Sequence, residues 1–337
     1  MKQVEITAKG GPGVLKIREV PAPALTPDGV RIAVKAAGIN FADLQMRMGM
    51  YPEAPPIPFV PGYEVAGTVA ELGAAVKTDL KLGDRVLAGC RFGGYVDEIV
   101  LPATQVRKFP AHLSFDEAAS IPVNWMTAWL ALVDMSRVRA GDRVLVPSAA
   151  GGVGIAAVQV AKAHGAWVAG LVGSESKKPL VKDLGADVVW TNDEWESQTY
   201  DRERFDIALD AQGGKSLKRA YSRLRPTGRV VAFGVSSMVQ GEKRSLISAA
   251  RTLWATPIFF PIKMMMANRG VFGLNMLQLF EKDGDMLTGG LDKVLEGFVS
   301  KKYRAIVGKS FPLADAGIAQ EHLRSRSNVG KVVLVSP

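Results

Sequence analysis

The sequence predicts a two-domain α/β protein, a small antiparallel β-barrel joined to a doubly wound parallel sheet. Three observations predict it. Residues 1–121 read as short strands punctuated by Gly and Pro. From residue 122 the pattern changes to strands alternating with helical segments, which requires a parallel sheet with right-handed crossovers. Within this second region stands one strand, glycine turn and helix, Asp142–Gly154 running into Ile155–His164. A chain of 337 residues is long enough to build a core in each domain.

In the first domain Val30–Lys35 alternates apolar and polar residues, as a half-buried strand does. Tyr63–Val69, Asp84–Gly89 and Gly94–Val100 supply further strands of a small barrel. In the second, Arg143–Pro147, Trp167–Val172, Asp187–Trp190, Phe205–Asp210 and Arg229–Phe233 are the parallel strands, and residues 122–263 make the domain. Residues 264–337 carry two more strand patterns, Ala305–Phe311 and Lys331–Val335, expected to return to the first domain. The parallel-sheet domain would then be an insertion, with the active site expected in the cleft between the two.

The glycine turn suits a diphosphate. Backbone N–H groups at a helix N-terminus attract negative charge, and glycine lets phosphate oxygens approach them. Ala149 takes the first glycine's place in the usual spacing, and Gly151, Gly152 and Gly154 follow. A capping turn without ligand is the bland alternative. The next strand ends at Gly173-Ser174-Glu175-Ser176-Lys177, where dinucleotide folds touch the adenosine ribose. A hydroxyl followed by a lysine suits a 2′-phosphate, hence NADPH, whereas Glu175 could serve a ribose diol. An ordinary N-cap serine with solvated lysines also fits.

Composition removes several classes of function. The 42 basic and 33 acidic residues leave +9, spread without the basic run or interleaved aromatics of a nucleic-acid surface. Cys90 is the single cysteine, so no internal disulfide or cysteine-built zinc lobe is available, and a reducing, cytoplasmic setting is expected. The three histidines, His112, His164 and His322, are scattered without motif spacing. The N-terminus lacks a signal-peptide core, and the richest apolar stretch, 257–280, is broken by Pro261, Lys263, Asn268, Arg269, Gly270 and Gly273. No transmembrane segment is expected. Met264–Met266 with Phe259 and Phe260 could line an adaptable pocket, or pack a core or a dimer seam.

Taken together, these residues resemble the medium-chain dehydrogenase/reductase superfamily, in its zinc-free quinone oxidoreductase branch. The blocks that carry the resemblance run from Ala37–Asp43 through Arg47-x-Gly49-x-Tyr51-Pro52 and Pro61–Gly67 to Thr127–Trp129. They continue with Ala149–Gly154, Asp206-x-x-x-Asp210-x-x-Gly213-Gly214 and Asn328–Val332. Gly234–Arg244 and Ala267–Gly273 look like the vesicle amine transport protein group within that branch. The resemblance implies a GroES-like barrel with a Rossmann domain, a homodimer, and hydride transfer from NADPH to quinones or α,β-unsaturated carbonyls. Zinc-dependent relatives carry a cysteine near Asn40–Asp43 and a histidine before the glutamate matched by Glu64; here Tyr63 holds the histidine's place.

By the same resemblance Asn40 is an orienting donor, Tyr51 donates a hydrogen bond near the substrate, and Asp43 props the loop. Turn-capping by Asn40 and edge-covering by Tyr51 is the plainer alternative. Gln45 stands where quinone reductases often carry a second tyrosine. For the coenzyme, Thr127 matches a residue that reaches the nicotinamide or its phosphate, with Asn124 just before it. Gly151, Gly152 and Val153 would offer N–H groups to the diphosphate, and Ser174 and Lys177 would meet the 2′-phosphate. Asn192 stands where a tyrosine is usual. Phe233, Gly234 and Val235 follow the strand flanking the nicotinamide, and Phe272 and Asn328 match later contacts.

Two other functions fit the sequence. One is an NADPH-binding protein with little turnover that meets a lipid or protein partner at the apolar 254–280 surface. The other is an enoyl-thioester reductase on the same scaffold.

Overall fold

The computed structural model describes residues 1–197, 204–238, 252 and 254–336. The chain divides into two compact units, Met1–Met126 with Leu279–Pro337, and the described part of 127–278. Strands of the first stretch are β1 (Lys2–Ile6), β2 (Leu15–Glu19), β3 (Gly29–Ile39), β4 (Glu64–Leu72), β5 (Arg85–Gly89), β6 (Glu98–Pro102) and β7 (Val106–Lys108). Next come β8 (Arg143–Val146), β9 (Trp167–Val172), β10 (Val188–Thr191), β11 (Phe205–Asp210), β12 (Leu224–Ala232) and β13 (Gly270–Gly273). The last are β14 (Val307–Pro312) and β15 (Lys331–Val335). The helices that matter below are α1 (Phe41–Arg47), α2 (Phe115–Ala118), α3 (Pro122–Trp129) and α4 (Gly152–Ala163).

The first unit is built on β3. One edge of β3 pairs with β4 along its length. Its other edge is shared: Gly29–Ala33 pairs with β6 and Ala36–Ile39 with β15, both antiparallel. The C-terminal strands β14 and β15 therefore complete a sheet that the N-terminal strands begin. Val30, Ile32 and Val34 point into a core with Val65, Val69, Val86 and Val332, as the alternation in β3 predicts. The strand expected over Gly94–Val100 starts only at Glu98. Gly94 packs so tightly on Gly62 that an added Cβ would lie 3.0 Å from the Gly62 carbonyl carbon, and the chain there turns to pair Tyr95 N–H with Pro61 O at 3.0 Å.

The second unit holds a parallel sheet in the order β10-β9-β8-β11-β12-β13. Counted from β8 this is 3-2-1-4-5-6, the order of dinucleotide-binding sheets. All six residues of β11 are buried, with Ile207–Leu209 an apolar run between Asp206 and Asp210. The strand order reverses between β8 and β11, so the loop leaving β8 lies at the topological switch point, where ligands of such sheets bind.

One boundary differs from the sequence expectation. Residues 264–273 do not return to the first unit: β13 pairs with β12 in register Val230↔Val271 and forms the sheet's edge. Asn268, in the left-handed conformation at φ 51°, ends the helix Pro261–Ala267 and turns the chain alongside β12. The return falls at Leu279. The start of the second region shifts as well, because the chain passes between units inside α3, after Met126. Part of the vesicle-protein-like block, Val239–Arg244, lies outside the described residues.

Candidate active site

In the first unit, β3 delivers Asn40 to the N-terminus of α1, where extended backbone (φ −119°, ψ 155°) breaks the strand and starts the helix. Asp43, one turn on, is fully buried and accepts three hydrogen bonds. Its Oδ2 takes the Asn40 N–H at 2.7 Å and the Tyr95 hydroxyl at 3.0 Å, and its Oδ1 takes the Gly62 N–H at 3.2 Å. Burial nevertheless pushes the carboxyl up to about 7, against the pull of those donors and of Lys331. Asp43 ties the β3–α1 corner to the Gly62 turn.

The Asn40 side chain faces elsewhere. Its Nδ2 donates to Glu64 Oε1 at 2.9 Å, and its Oδ1 accepts from Lys331 Nζ at 2.6 Å. Lys331 and Glu64 also form an ion pair, with both side chains almost wholly buried. Glu64 Oε2 accepts the Val123 N–H at 2.7 Å, which anchors the first turn of α3. Gly38 makes room for this cluster: a Cβ there would lie 2.5 Å from Glu64 Oε1 and 2.7 Å from Ala119 O. Gly330, at φ 70°, takes the left-handed turn that starts β15 at Lys331.

Tyr51 and Tyr63 are partly buried, and the Tyr63 hydroxyl donates to Met46 Sδ at 3.5 Å. Burial raises both above the usual phenol range, so both stay protonated donors at neutral pH. Gln45 is buried in α1 and Asn124 in α3, while Asn328 lies in the loop before β15 and donates to Gly330 O at 3.0 Å.

In the second unit the loop from β8 to α4 is a cradle. Ser148 adopts φ 54° and its carbonyl accepts the Gly151 N–H at 2.8 Å. Gly151 therefore closes the loop with its own N–H, a correction to the expectation that this group faces a phosphate. Gly152 and Val153 open α4, where N–H groups have no carbonyl four residues back to bond. Gly154 is needed for a different reason: a Cβ would sit 2.2 Å from Ser148 O. The loop thus fits a diphosphate, with two helix N–H groups at a switch point.

Ser174 and Lys177 follow the end of β9 as expected. Lys178 pairs with Glu175 at 2.7 Å and Glu194 at 2.6 Å, so Glu175 is drawn to a lysine. Burial lowers Lys177 from the ordinary lysine range. Asn192 is exposed just after β10. Phe233, Gly234 and Val235 leave β12, and Gly213 (φ 72°) approaches Val235, where a Cβ would meet its side chain at 3.1 Å. Asp210 Oδ2 holds that loop through the Gly213 N–H at 2.7 Å. Thr127 is buried in α3, and Phe272 lies on β13.

Sequence reading did not single out Glu64, Lys331, Tyr95 or the Tyr63 phenol as members of the site. The available signal was a charge at the head of a strand that opens on apolar and small residues, Glu64 before Val65–Gly67 in β4 and Lys331 before Val332–Val335 in β15, since a buried charge calls for a partner.

Residues 26–111 match the family described as alcohol dehydrogenase GroES-like domain, and 152–294 the family described as zinc-binding dehydrogenase. The human synaptic vesicle membrane protein VAT-1 homolog is 33% identical over 98% of this chain and 85% of its own. The rat quinone oxidoreductase is 30% identical over 99% and 98%. The Escherichia coli quinone oxidoreductase, solved in complex with NADPH, superimposes with a TM-score of 0.84 at 28% identity, covering 100% of both chains. The zinc implied by the second family description does not fit the donor set. Tyr63 stands beside Glu64, burial pushes the Cys90 thiol up, and among the described residues no three His, Cys, Asp or Glu side chains gather as ligands.

Proposed function

The chain belongs to the medium-chain dehydrogenase/reductase superfamily, with the VAT-1 homologs and quinone oxidoreductases, and on that premise we propose an NADPH-dependent reductase of quinones or α,β-unsaturated carbonyls. The observation that carries the reading is the cradle at the switch point, where Gly152 and Val153 open α4 beside β9, the strand that leads to Ser174. Ser174 and Lys177 would hold the 2′-phosphate, by hydrogen bonding and charge respectively. Asn192, Phe233–Val235, Phe272, Thr127, Asn124 and Asn328 would complete the coenzyme's surroundings.

Bound NADPH supplies a hydride, and one proton completes reduction of the acceptor. The chain's own contribution is to orient the acceptor and stabilise charge developing on its oxygen. Asn40, with one N–H committed to Glu64, keeps a second N–H for that oxygen. Tyr51 stays protonated and donates beside it, and Asp43 holds the corner that carries Asn40. No step runs through a metal. A homodimer acting without a membrane-spanning segment in the cytoplasm completes the reading.

The test is steady-state NADPH oxidation with 1,2-naphthoquinone, a simple enone and a crotonyl thioester. Turnover of the first two, lost in Asn40→Ala or Tyr51→Phe with NADPH binding intact, supports the reading. Preference for the thioester moves it to an enoyl-thioester reductase, and saturable NADPH binding with no turnover removes it.

A second reading has its own observation. Trp254 is 93% exposed and Met266 77%, with Ile258, Ile262 and Met265 exposed beside them. The helix Pro261–Ala267 has no buried residue, so its methionines do not pack the unit's own core. An apolar partner surface, lipid or protein, fits this patch, and liposome co-sedimentation of Met265→Ser/Met266→Ser tests the lipid form.

A further inference from the structure

We propose that Lys331 and Glu64 are positioning residues that lock the Asn40 carboxamide in one orientation. The role rests on the reading of Asn40 as the donor to the acceptor oxygen. A carboxamide has two ends of nearly equal size and opposite hydrogen-bonding character. If it turns over about its last bond, a carbonyl stands where an N–H donor is required.

The surroundings of Asn40 distinguish the two ends by charge. The Lys331 ammonium, which can only donate, lies 2.6 Å from Oδ1. The Glu64 carboxylate accepts from Nδ2 at 2.9 Å. A flipped amide would set its NH2 against the ammonium and its carbonyl against the carboxylate, two repulsive contacts among buried groups.

The locking groups are themselves held. Lys331 and Glu64 are ion-paired, Glu64 Oε2 takes the Val123 N–H at 2.7 Å, and Lys331 N–H donates to Ile306 O at 2.9 Å. Gly38 admits the Glu64 carboxylate, because a Cβ there would lie 2.5 Å from Oε1. Three strands thus converge on one amide: β3 brings Asn40, β4 brings Glu64 and β15 brings Lys331. The carbonyl oxygen and one N–H are engaged, and one N–H remains to donate.

The test is a double-mutant cycle on the full chain, with NADPH saturating and 1,2-naphthoquinone varied. Lys331→Met is expected to lower kcat at least ten-fold, with KM and the NADPH Kd within about two-fold, because orientation and not binding is lost. In an Asn40→Ala background the same substitution is expected to cost less than about two-fold, since there is no amide left to orient. Equal losses in both backgrounds would overturn the positioning role while leaving Asn40 as donor. An Asn40→Ala variant with undiminished kcat would instead remove the reading of Asn40, and this proposal with it. If Lys331→Met does not fold, Glu64→Gln, nearly isosteric, takes its place in the cycle. Side-chain amide NMR gives a readout apart from turnover. The Glu64-bound Asn40 N–H is expected to exchange with solvent at least ten-fold faster in the Lys331 or Glu64 variant, and unchanged exchange would overturn the lock.

Discussion

Replacing Asp43 with asparagine should flatten the pH dependence of the first unit's stability. In the folded chain the Asp43 carboxyl holds its proton up to about 7, against an ordinary value of 3.8. A gap of about three pH units, at about 1.36 kcal/mol each, corresponds to roughly 4 kcal/mol. The sign follows from which state holds the proton more tightly. The folded state does, so this stabilisation is fully present below 3.8 and is lost as pH rises through about 7. Between pH 5 and pH 8 the wild-type unit should lose roughly 2–3 kcal/mol on this account. Asp43→Asn should remove that slope and add a constant cost of about 1–3 kcal/mol, because an amide NH2 cannot accept the Gly62 N–H.

Hydrogen exchange of the β3 and β4 amides, corrected for intrinsic rate at each pH, reads this unit alone and avoids treating two units as one transition. Other carboxyl groups titrate in both proteins, so the quantity to follow is wild type minus variant. If that difference stays constant from pH 5 to pH 8, the burial argument for Asp43 is wrong.

Further outcomes follow from the second unit. Gly154→Ala places a Cβ 2.2 Å from Ser148 O, so the loop must shift; a loss of about 1–3 kcal/mol and a ten-fold weaker NADPH titration are expected. Ser174→Glu should raise the NADPH Kd about ten-fold or more and leave NADH binding within a few-fold, read by coenzyme fluorescence, because a carboxylate repels the 2′-phosphate but suits a free ribose. Trp254→Gln with Met265→Ser should leave the NADPH Kd unchanged and reduce co-sedimentation with anionic liposomes; equal sedimentation would remove the lipid form of the second reading.

The fold was legible because its signals are local. Alternation in Val30–Lys35, the buried run of β11 and the glycine turn before α4 each depend on residues within one strand or one loop. The missed strand β13 is four residues long and lies at the sheet's edge, where a short run leaves no periodicity to read. Spacing locates Gly151 but does not say where its N–H points, and in the fold that N–H bonds Ser148 O.

The sequence alone determined the two-part architecture, through its change of strand and helix pattern, and the glycine turn at the head of α4 and the corner carrying Asn40 and Asp43, which are each written in contiguous residues. Only the tertiary structure decided how the Asn40 side chain is held. Glu64 lies 24 residues away and Lys331 lies 291 away, and neither spacing nor composition links them. Their meeting is settled by β15 pairing along the end of β3 opposite β4, which confines three polar side chains where water cannot solvate them separately.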